Sequence, residues 1–371
     1  MDQTVAVESP HVAETPAPAR TRLVSLDVFR GLTIAGMILV NNPGDWGHVY
    51  GPLEHAEWHG WTPTDLIFPF FLFIIGVAMP YSFARRVERG DTKGRLALHV
   101  LYRSVVLIAL GMFLSGLPDF DFSKKLILDV LQRIGVVYLF AGLVFIVADA
   151  AVQAVVALVC LVLYWVLMVT IPVPGFGAGV LAPEGNVWQY VDNLIIAGWH
   201  QHAEGVLSII PSISTVLLGT LTGFWLRSER QPWEKLVGMF AAGNLALALG
   251  LIMAASFPIN KLLWSPSYVV FTAGFALVVL AFCYWLVDMK QWKRAPRPFV
   301  IFGMNAIAAF FLSSLTSRLM GMAGVKGPVD RTLFASWLPP FDASLAWAIC
   351  YVLLWLGVMG ILYRKHLFLK I

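Results

Sequence analysis

The stretch Glu54–Gly76, EHAEWHGWTPTDLIFPFFLFIIG, sets His55, His59 and Asp65 directly before a long apolar run. An apolar run of roughly twenty residues, rising ~1.5 Å per residue, is long enough to cross ~30 Å of hydrocarbon as a helix. The polar residues ahead of it are therefore held at a membrane surface. A histidine placed there beside a carboxylate is a candidate proton-transfer group.

The remainder of the chain reads the same way. Its 371 residues are 58% hydrophobic and 13% charged, with a mean hydropathy of +0.75, which excludes a water-soluble globule built on one core. About ten runs of spanning length occur, near 23–42, 64–84, 96–117, 127–147, 152–172, 207–226, 236–255, 267–287, 299–319 and 343–363. The predicted fold class is all-α: a polytopic integral membrane protein of about ten transmembrane helices.

Orientation follows from the loops, because short cytoplasmic loops accumulate Lys and Arg. One alternating set carries Arg20, Arg22, Arg85, Arg86, Arg89, Lys93, Arg95, Arg227, Arg230, Lys235, Lys290, Lys293, Arg294, Arg297, Arg364, Lys365 and Lys370. The other set carries only Lys124, Lys125, Lys261, Lys326 and Arg331. Both termini are expected in the cytoplasm, with the His55 loop on the other side. The formal charge of +4 is what such loops produce, and no interleaved aromatic and basic motif points to nucleic acid.

Residues 1–20 are polar, rich in Pro, Ala and Thr, and lack the basic start and apolar centre of a signal peptide, so they read as a disordered cytoplasmic tail. Residues 21–371 read as one transmembrane domain. Within it, the extracytoplasmic loop 173–206 is too long and too aromatic for a connector and is expected to fold over the mouth of the bundle. Glu204 in that loop begins a stripe with Ser208, Ser212, Thr215, Gly219 and Thr222, at three- and four-residue steps that share one helix face. Such a small, polar face suits either a cavity lining or close helix packing. Cys160, Cys283 and Cys350 all fall within predicted spans, and neither a disulfide framework nor a metal site is implied.

Charges inside apolar runs cost several kcal/mol (~2.5–3.5 for Arg or Asp at a span centre) unless partnered. Asp27 with Arg30, and Asp129 with Arg133, are spaced to neutralise each other on one helix face, the latter with Gln132 beside it. Arg103 and Arg318 have no evident local partner, and Arg318 sits near enough to a helix end to snorkel.

Several blocks taken together resemble one family. RLVSLDVFRGLTIAGMILVNN, HAEWHGWTPTDLIFPFFLFIIG, VLQRIGVVYLFAG, EGVLSIIPSISTVLLGTLTG, PINKLLWSPSYVV, GMNAI and the terminal KHLFLKI are similar, in order from about residue 20, to the heparan-alpha-glucosaminide N-acetyltransferase family. The resemblance is nearest to its bacterial, NagX-type members. It does not extend to the amino-terminal extracytoplasmic domain of the animal lysosomal enzymes, so a glycosaminoglycan acceptor is not implied. The family's H-A-x-W-x-G block before a D-L-x-F-P run falls on His55, Ala56, Trp58, Gly60, Asp65, Leu66, Phe68 and Pro69. The resemblance makes His55 the active histidine and asks for an upstream asparagine on the same side, for which Asn41 and Asn42 both qualify.

The chemistry fits those residue types. Acetyl transfer from a thioester to an amine needs a base, dipoles facing the developing oxyanion and a dry path for the thioester. His55 supplies the base, or accepts the acetyl group itself. Asn41 or Asn42 can donate to the oxyanion, and Asp65 can orient the imidazole. A lone interfacial histidine more often serves loop structure, and it is the surrounding block that favours chemistry here.

The donor implied by the resemblance is acetyl-CoA, entering from the cytoplasm. Its phosphates would meet cations near that face, for which Arg30, Arg103, Arg133, Lys290 and Arg294 are the candidates in falling order of burial, with Gln132 beside Arg133. Trp58, His59, Glu204, Asn260 and Lys261 are the candidate acceptor contacts. The expected protein is thus an acetyltransferase of a bacterial cytoplasmic membrane, acting on an amino sugar of the glucosamine type, and a homodimer by resemblance. A permease for N-acetylglucosamine or a short saccharide is the competing reading, since ten spans with buried charges suit it too, although the two halves of the chain show no repeat.

Overall fold

The computed structural model describes residues 23–122, 128–195, 205–292 and 294–369. Its helices are α1 (Val24–Asn41), α2 (Ile67–Glu88), α3 (Lys93–Gly116), α4 (Val130–Val147), α5 (Ala150–Thr170), α6 (Val187–Ile195), α7 (Ile209–Arg227), α8 (Pro232–Met253), α9 (Pro266–Cys283), α10 (Arg297–Met304), α11 (Ala306–Met322), α12 (Lys326–Asp330) and α13 (Pro340–Arg364). Among the described residues nine helices are long and apolar enough to cross a membrane, with α9 prolonged by a π-helical turn, Tyr284–Met289. The protein is an all-helical, multi-pass membrane protein. The proposed tail, 1–20, lies outside the described residues.

Local chemistry starts the spans where hydropathy alone is vague. Asp129 Oδ1 accepts the Val130 N–H at 2.7 Å to open α4, Asp149 Oδ1 accepts Val152 N–H at 2.9 Å to open α5, and Ser265 Oγ accepts Tyr268 N–H at 3.3 Å to open α9. Between α2 and α3, Thr92 caps α3 by accepting the Arg95 N–H.

One span departs from its sequence reading. The apolar run 299–319 is broken at Asn305, where α10 and α11 meet at 82°. Asn305 leaves helical geometry, its Nδ2 donates to the Leu367 carbonyl at 3.1 Å and its Oδ1 accepts the Leu369 N–H at 2.9 Å. One asparagine thus serves chain more than sixty residues away, which ties the GMNAI and KHLFLKI blocks into one feature. A hydropathy window sees neither the bend nor its cause.

The bundle is layered around α1, α2, α7 and α9, whose apolar windows are more than half buried, while α3, α5, α8 and α13 turn most of their surface outward. Two close crossings set this arrangement. A Cβ on Gly76 would overlap the Val216 carbonyl, and one on Gly219 the Phe73 carbonyl, so α2 and α7 touch backbone to backbone. Gly31 and Gly303 do the same for α1 and α10 against Phe299 and Asp27. The polar stripe on α7 is resolved accordingly. Ser212 and Thr215 hold Arg133 and the Trp264 indole, and Gly219 is a contact point, so this face packs helices together.

The intramembrane pairs divide. Asp27 and Arg30 meet at 3.3 Å as their spacing predicts. Asp129 and Arg133 do not form an ion pair. Asp129 caps α4 and faces Arg318 at 3.5 Å, and the Arg133 guanidinium, fully buried, lies 4.7 Å over the Trp264 ring and donates to Ser208 Oγ at 2.7 Å and Ser212 Oγ at 2.9 Å. The cause is tertiary: residues on α7 and before α9 offer the guanidinium better-placed acceptors than its own helix does.

Because successive spans alternate in direction, the loops after α1, α5 and α8 gather at one end of the bundle, and the starts of α1 and α8 at the other. At the second end Asp288 accepts the N–H groups of Val24 and Ser25 at 3.3 and 3.2 Å, fastening the start of α1 to the end of α9.

The α2–α7 crossing gives the first test. Gly219→Val should destabilise the purified protein by roughly 1–3 kcal/mol, the usual cost of overpacking, and lower its thermal midpoint in detergent. Gly357→Val, at an α13 glycine where a Cβ meets nothing within 4 Å, should leave the midpoint unchanged.

Candidate active site

The loop between α1 and α2 folds through two short 3₁₀ turns, Gly51–Leu53 and Pro63–Leu66. The second is opened by Thr62 with Pro63 at its first position, and Asp65 reaches back so that its Oδ2 accepts the Thr62 N–H at 3.0 Å, a capping box. The same oxygen accepts the Ala56 N–H at 3.0 Å, which folds the His55 segment onto the turn. Gly60 holds φ +103° and donates its N–H to the Ile259 carbonyl at 2.8 Å, docking this loop on the turn between α8 and α9. That left-handed conformation favours glycine.

His55 is thereby fixed against a buried carboxylate. Its Nδ1 lies 2.6 Å from Asp65 Oδ1, with the Asp65 side chain 1% exposed and that of His55 51% exposed. With Nδ1 donating to Asp65 Oδ1, Nε2 is the ring nitrogen left as an acceptor, 3.3 Å from Lys261 Nζ. Lys261 Nζ completes the cluster, 3.2 Å and 3.3 Å from the two ring nitrogens and 3.7 Å from Asp65 Oδ1. Below it, the Tyr268 hydroxyl donates to the Asp65 carbonyl at 2.5 Å, joining the site to α9.

Asn260 sets Lys261 in place. It is fully buried, its Oδ1 accepts the Leu263 N–H at 2.8 Å, and its own N–H donates to Ser265 Oγ at 3.0 Å, which shapes the turn carrying the lysine. Its Nδ2 lies 3.3 Å from His59 Nδ1, so the amide donates to a neutral imidazole. Partial desolvation disfavours the charged form of His59 and lowers its pKa below the ordinary 6.5.

The other expected residues are placed as follows. Trp58 donates its indole N–H to the Leu181 carbonyl at 2.9 Å and lies 6.4 Å from the Trp188 ring, so it clamps the long loop over this end. The described part of that loop includes α6 and packs as a small apolar cluster with Tyr164, Met168 and Phe257. Glu204 lies outside the described residues. The hydrogen-bonding partners of His55 do not include Asn41 or Asn42: the Asn42 amide is buried and donates to the Ile38 carbonyl at 2.8 Å, and Asn41 is exposed at the end of α1.

The predicted donor cations do not gather. Arg133 and Gln132 stand at the His55 end of α4, not at the far face, with Gln132 Nε2 donating to Ser115 Oγ at 3.0 Å. The predicted order of burial also reverses, since Arg133 is fully buried and Arg30 only partly so. Arg30 lies against Asp27 and the Gly303 carbonyl, Arg103 stacks 5.0 Å from the Tyr138 ring, and Arg294 is exposed. The cleft at the far end, of about 690 Å³, is lined instead by Tyr81, Arg85, Glu88, Arg227, Glu229 and Lys235. Sequence reading placed these cations in that face's loops but gave no reason to choose them, because α2, α7 and α8 bring them together only in the fold.

The fold is thus a multi-pass helical bundle with a His–Asp–Lys cluster at one mouth and a charged cleft at the other. Comparison with known proteins gives the family: the model described as "Heparan-alpha-glucosaminide N-acetyltransferase, catalytic" matches residues 22–250, and the chain belongs to it. Heparan-alpha-glucosaminide N-acetyltransferase of Homo sapiens is 29% identical over 94% of the chain and 60% of its own length. The Mus musculus protein of the same name is 28% identical over 96% of the chain and 62% of its own length. The chain thus spans about 60% of the curated relatives it matches.

The tautomer and proton placement can be read directly. In a histidine-labelled NMR titration the His59 ring should stay neutral below the pH at which a free imidazole protonates, with Nδ1 as the acceptor; titration at or above 6.5 would contradict the environment described.

Proposed function

We propose that the chain is a transmembrane acetyltransferase that takes acetyl from acetyl-CoA at one face of the membrane and passes it to the amine of an amino sugar, of the glucosamine type, at the other. The observation that carries this reading is the 2.6 Å contact between His55 Nδ1 and Asp65, which leaves Nε2 on a half-exposed ring. Family membership and the acetyltransferase names of the curated relatives support it.

In this reading the acceptor arrives from the His55 end as a free amine. His55 Nε2 takes the proton as the nitrogen attacks the thioester carbonyl, the C–S bond breaks, and the thiolate leaves as CoA after recovering a proton. Asp65 holds the imidazolium that forms. The Lys261 ammonium, beside the ring, faces the oxyanion that develops on the carbonyl, the role sought at first from Asn41 or Asn42. Asn41, exposed at the same end, is the asparagine positioned to meet substrate.

The donor's phosphates would be received at the far cleft by Arg85, Arg227 and Lys235. From Asp65 to Tyr81 the chain advances sixteen residues, about 24 Å of helix at ~1.5 Å per residue, which the pantetheine arm would span. The excess of Arg and Lys at that end supports a cytoplasmic donor face, and the resemblance to bacterial members supports a bacterial cytoplasmic membrane as the location.

The test is acceptor-dependent release of free CoA by purified protein in nanodiscs. His55→Ala should lose activity by at least the ~10²–10⁴-fold that a general base supplies, Asp65→Asn should fall by a comparable factor, and Lys261→Met should lower kcat more than it raises KM. Labelled-sugar flux into proteoliposomes without acetyl-CoA, together with no CoA release for any acceptor, would replace this reading with the carrier.

A further inference from the structure

An open groove of about 630 Å³ runs between α5, α7, α8 and α9, within the range of ~300–1,000 Å³ typical of ligand pockets. Its lining is almost wholly apolar and includes the small residues Ala154, Ala157, Ala242, Ala246 and Ala273. On α8 the groove runs from Gly238 to Leu249, eleven residues or about 16 Å. It opens sideways, where α5 and α8 turn most of their surface outward, so in the membrane it faces hydrocarbon and not water.

The end of the groove distant from His55 is built differently. Trp225 closes it, lying on Gly238, where a Cβ would meet the indole ring, and its Nε1 donates to the Lys235 carbonyl at 3.1 Å. The Arg230 guanidinium covers this ring at 4.5 Å. Arg227 and Lys235 lie in the adjoining cleft, while Glu234 is turned back onto the Gln231 N–H at 2.8 Å as a helix cap. An apolar channel at chain depth that ends in an indole and a guanidinium at headgroup depth matches the two halves of one amphiphile.

We infer that this groove is a binding site for an anionic glycerophospholipid of the leaflet opposite His55, one acyl chain lying along α8 and the phosphate held by Arg230. Charge chooses the occupant, since a zwitterionic headgroup gains less from a guanidinium than an anionic one does. Small residues on three helices, α5, α8 and α9, make a slot of chain width, whereas a second copy of the protein would need a broad complementary face. The inference stands apart from the acetyl-transfer reading.

The experiment measures phospholipid retained per protomer, and its headgroup ratio against the host membrane, by mass spectrometry of protein purified in mild detergent. Wild type should keep about one phospholipid, enriched in anionic species several-fold. Ala242→Phe and Ala154→Phe, both at outward-facing positions that should tolerate bulk, should each lose most of it. Arg230→Gln should keep a lipid but lose the enrichment. Equal retention in wild type and both groove variants, or enrichment unaltered in Arg230→Gln, would overturn the assignment. So would a wild-type dimer that Ala242→Phe dissociates with no change in lipid.

Discussion

A carboxylate buried at the mouth of a membrane bundle must be surrounded by donors, and satisfying Asp65 organises the end of the molecule where it lies. Its two oxygens take the backbone of Ala56 and Thr62, the ring of His55 and the charge of Lys261. Removing a partner from a buried ion typically costs ~3–5 kcal/mol, so these groups are held in register. The chain segments they belong to, the α1–α2 loop and the α8–α9 turn, are thereby locked together with His55 between them. The force that fixes the loop is also the force that sets the imidazole tautomer, which is how a stability requirement becomes a reactive geometry.

The two ends of the bundle are specialised by the same economy of charge. At the His55 end Asp65, His55 and Lys261 form a tight cluster, with Asp65 2.6 Å from the imidazole and 3.7 Å from the ammonium. At the far end, acids and bases line a wide cleft beneath the first turn of α1, which Asp288 anchors. Between them α2 and α7 cross so closely that no side chain separates their backbones. Such a rigid central pair gives the two ends a fixed spacing, which the proposed reaction between substrates from opposite sides requires.

Much of this was legible in the sequence because it is governed by local rules. Hydropathy located the spans, and the H-A-x-W-x-G block with the D-L-x-F-P run after it carried His55 and Asp65 in adjacent text. Three things were not legible, each because a partner lies far off in the chain. Asn305 breaks its span to serve Leu367 and Leu369. Arg133 leaves Asp129 for Ser208, Ser212 and Trp264. Lys261 read as an acceptor contact, and the docking of Gly60 on Ile259 brings its turn to the imidazole. Side-chain charge is visible in a sequence, but the choice among partners is made by packing.

The central claim is that one end takes the donor and the other delivers the acetyl group. It is tested most directly in sealed proteoliposomes with the protein in a single orientation, acetyl-CoA on the side of the Arg85–Arg227–Lys235 cleft and a labelled amino sugar on the His55 side. The account predicts N-acetylated sugar on the His55 side and free CoA on the other. Product formed only when both substrates share one compartment would contradict it.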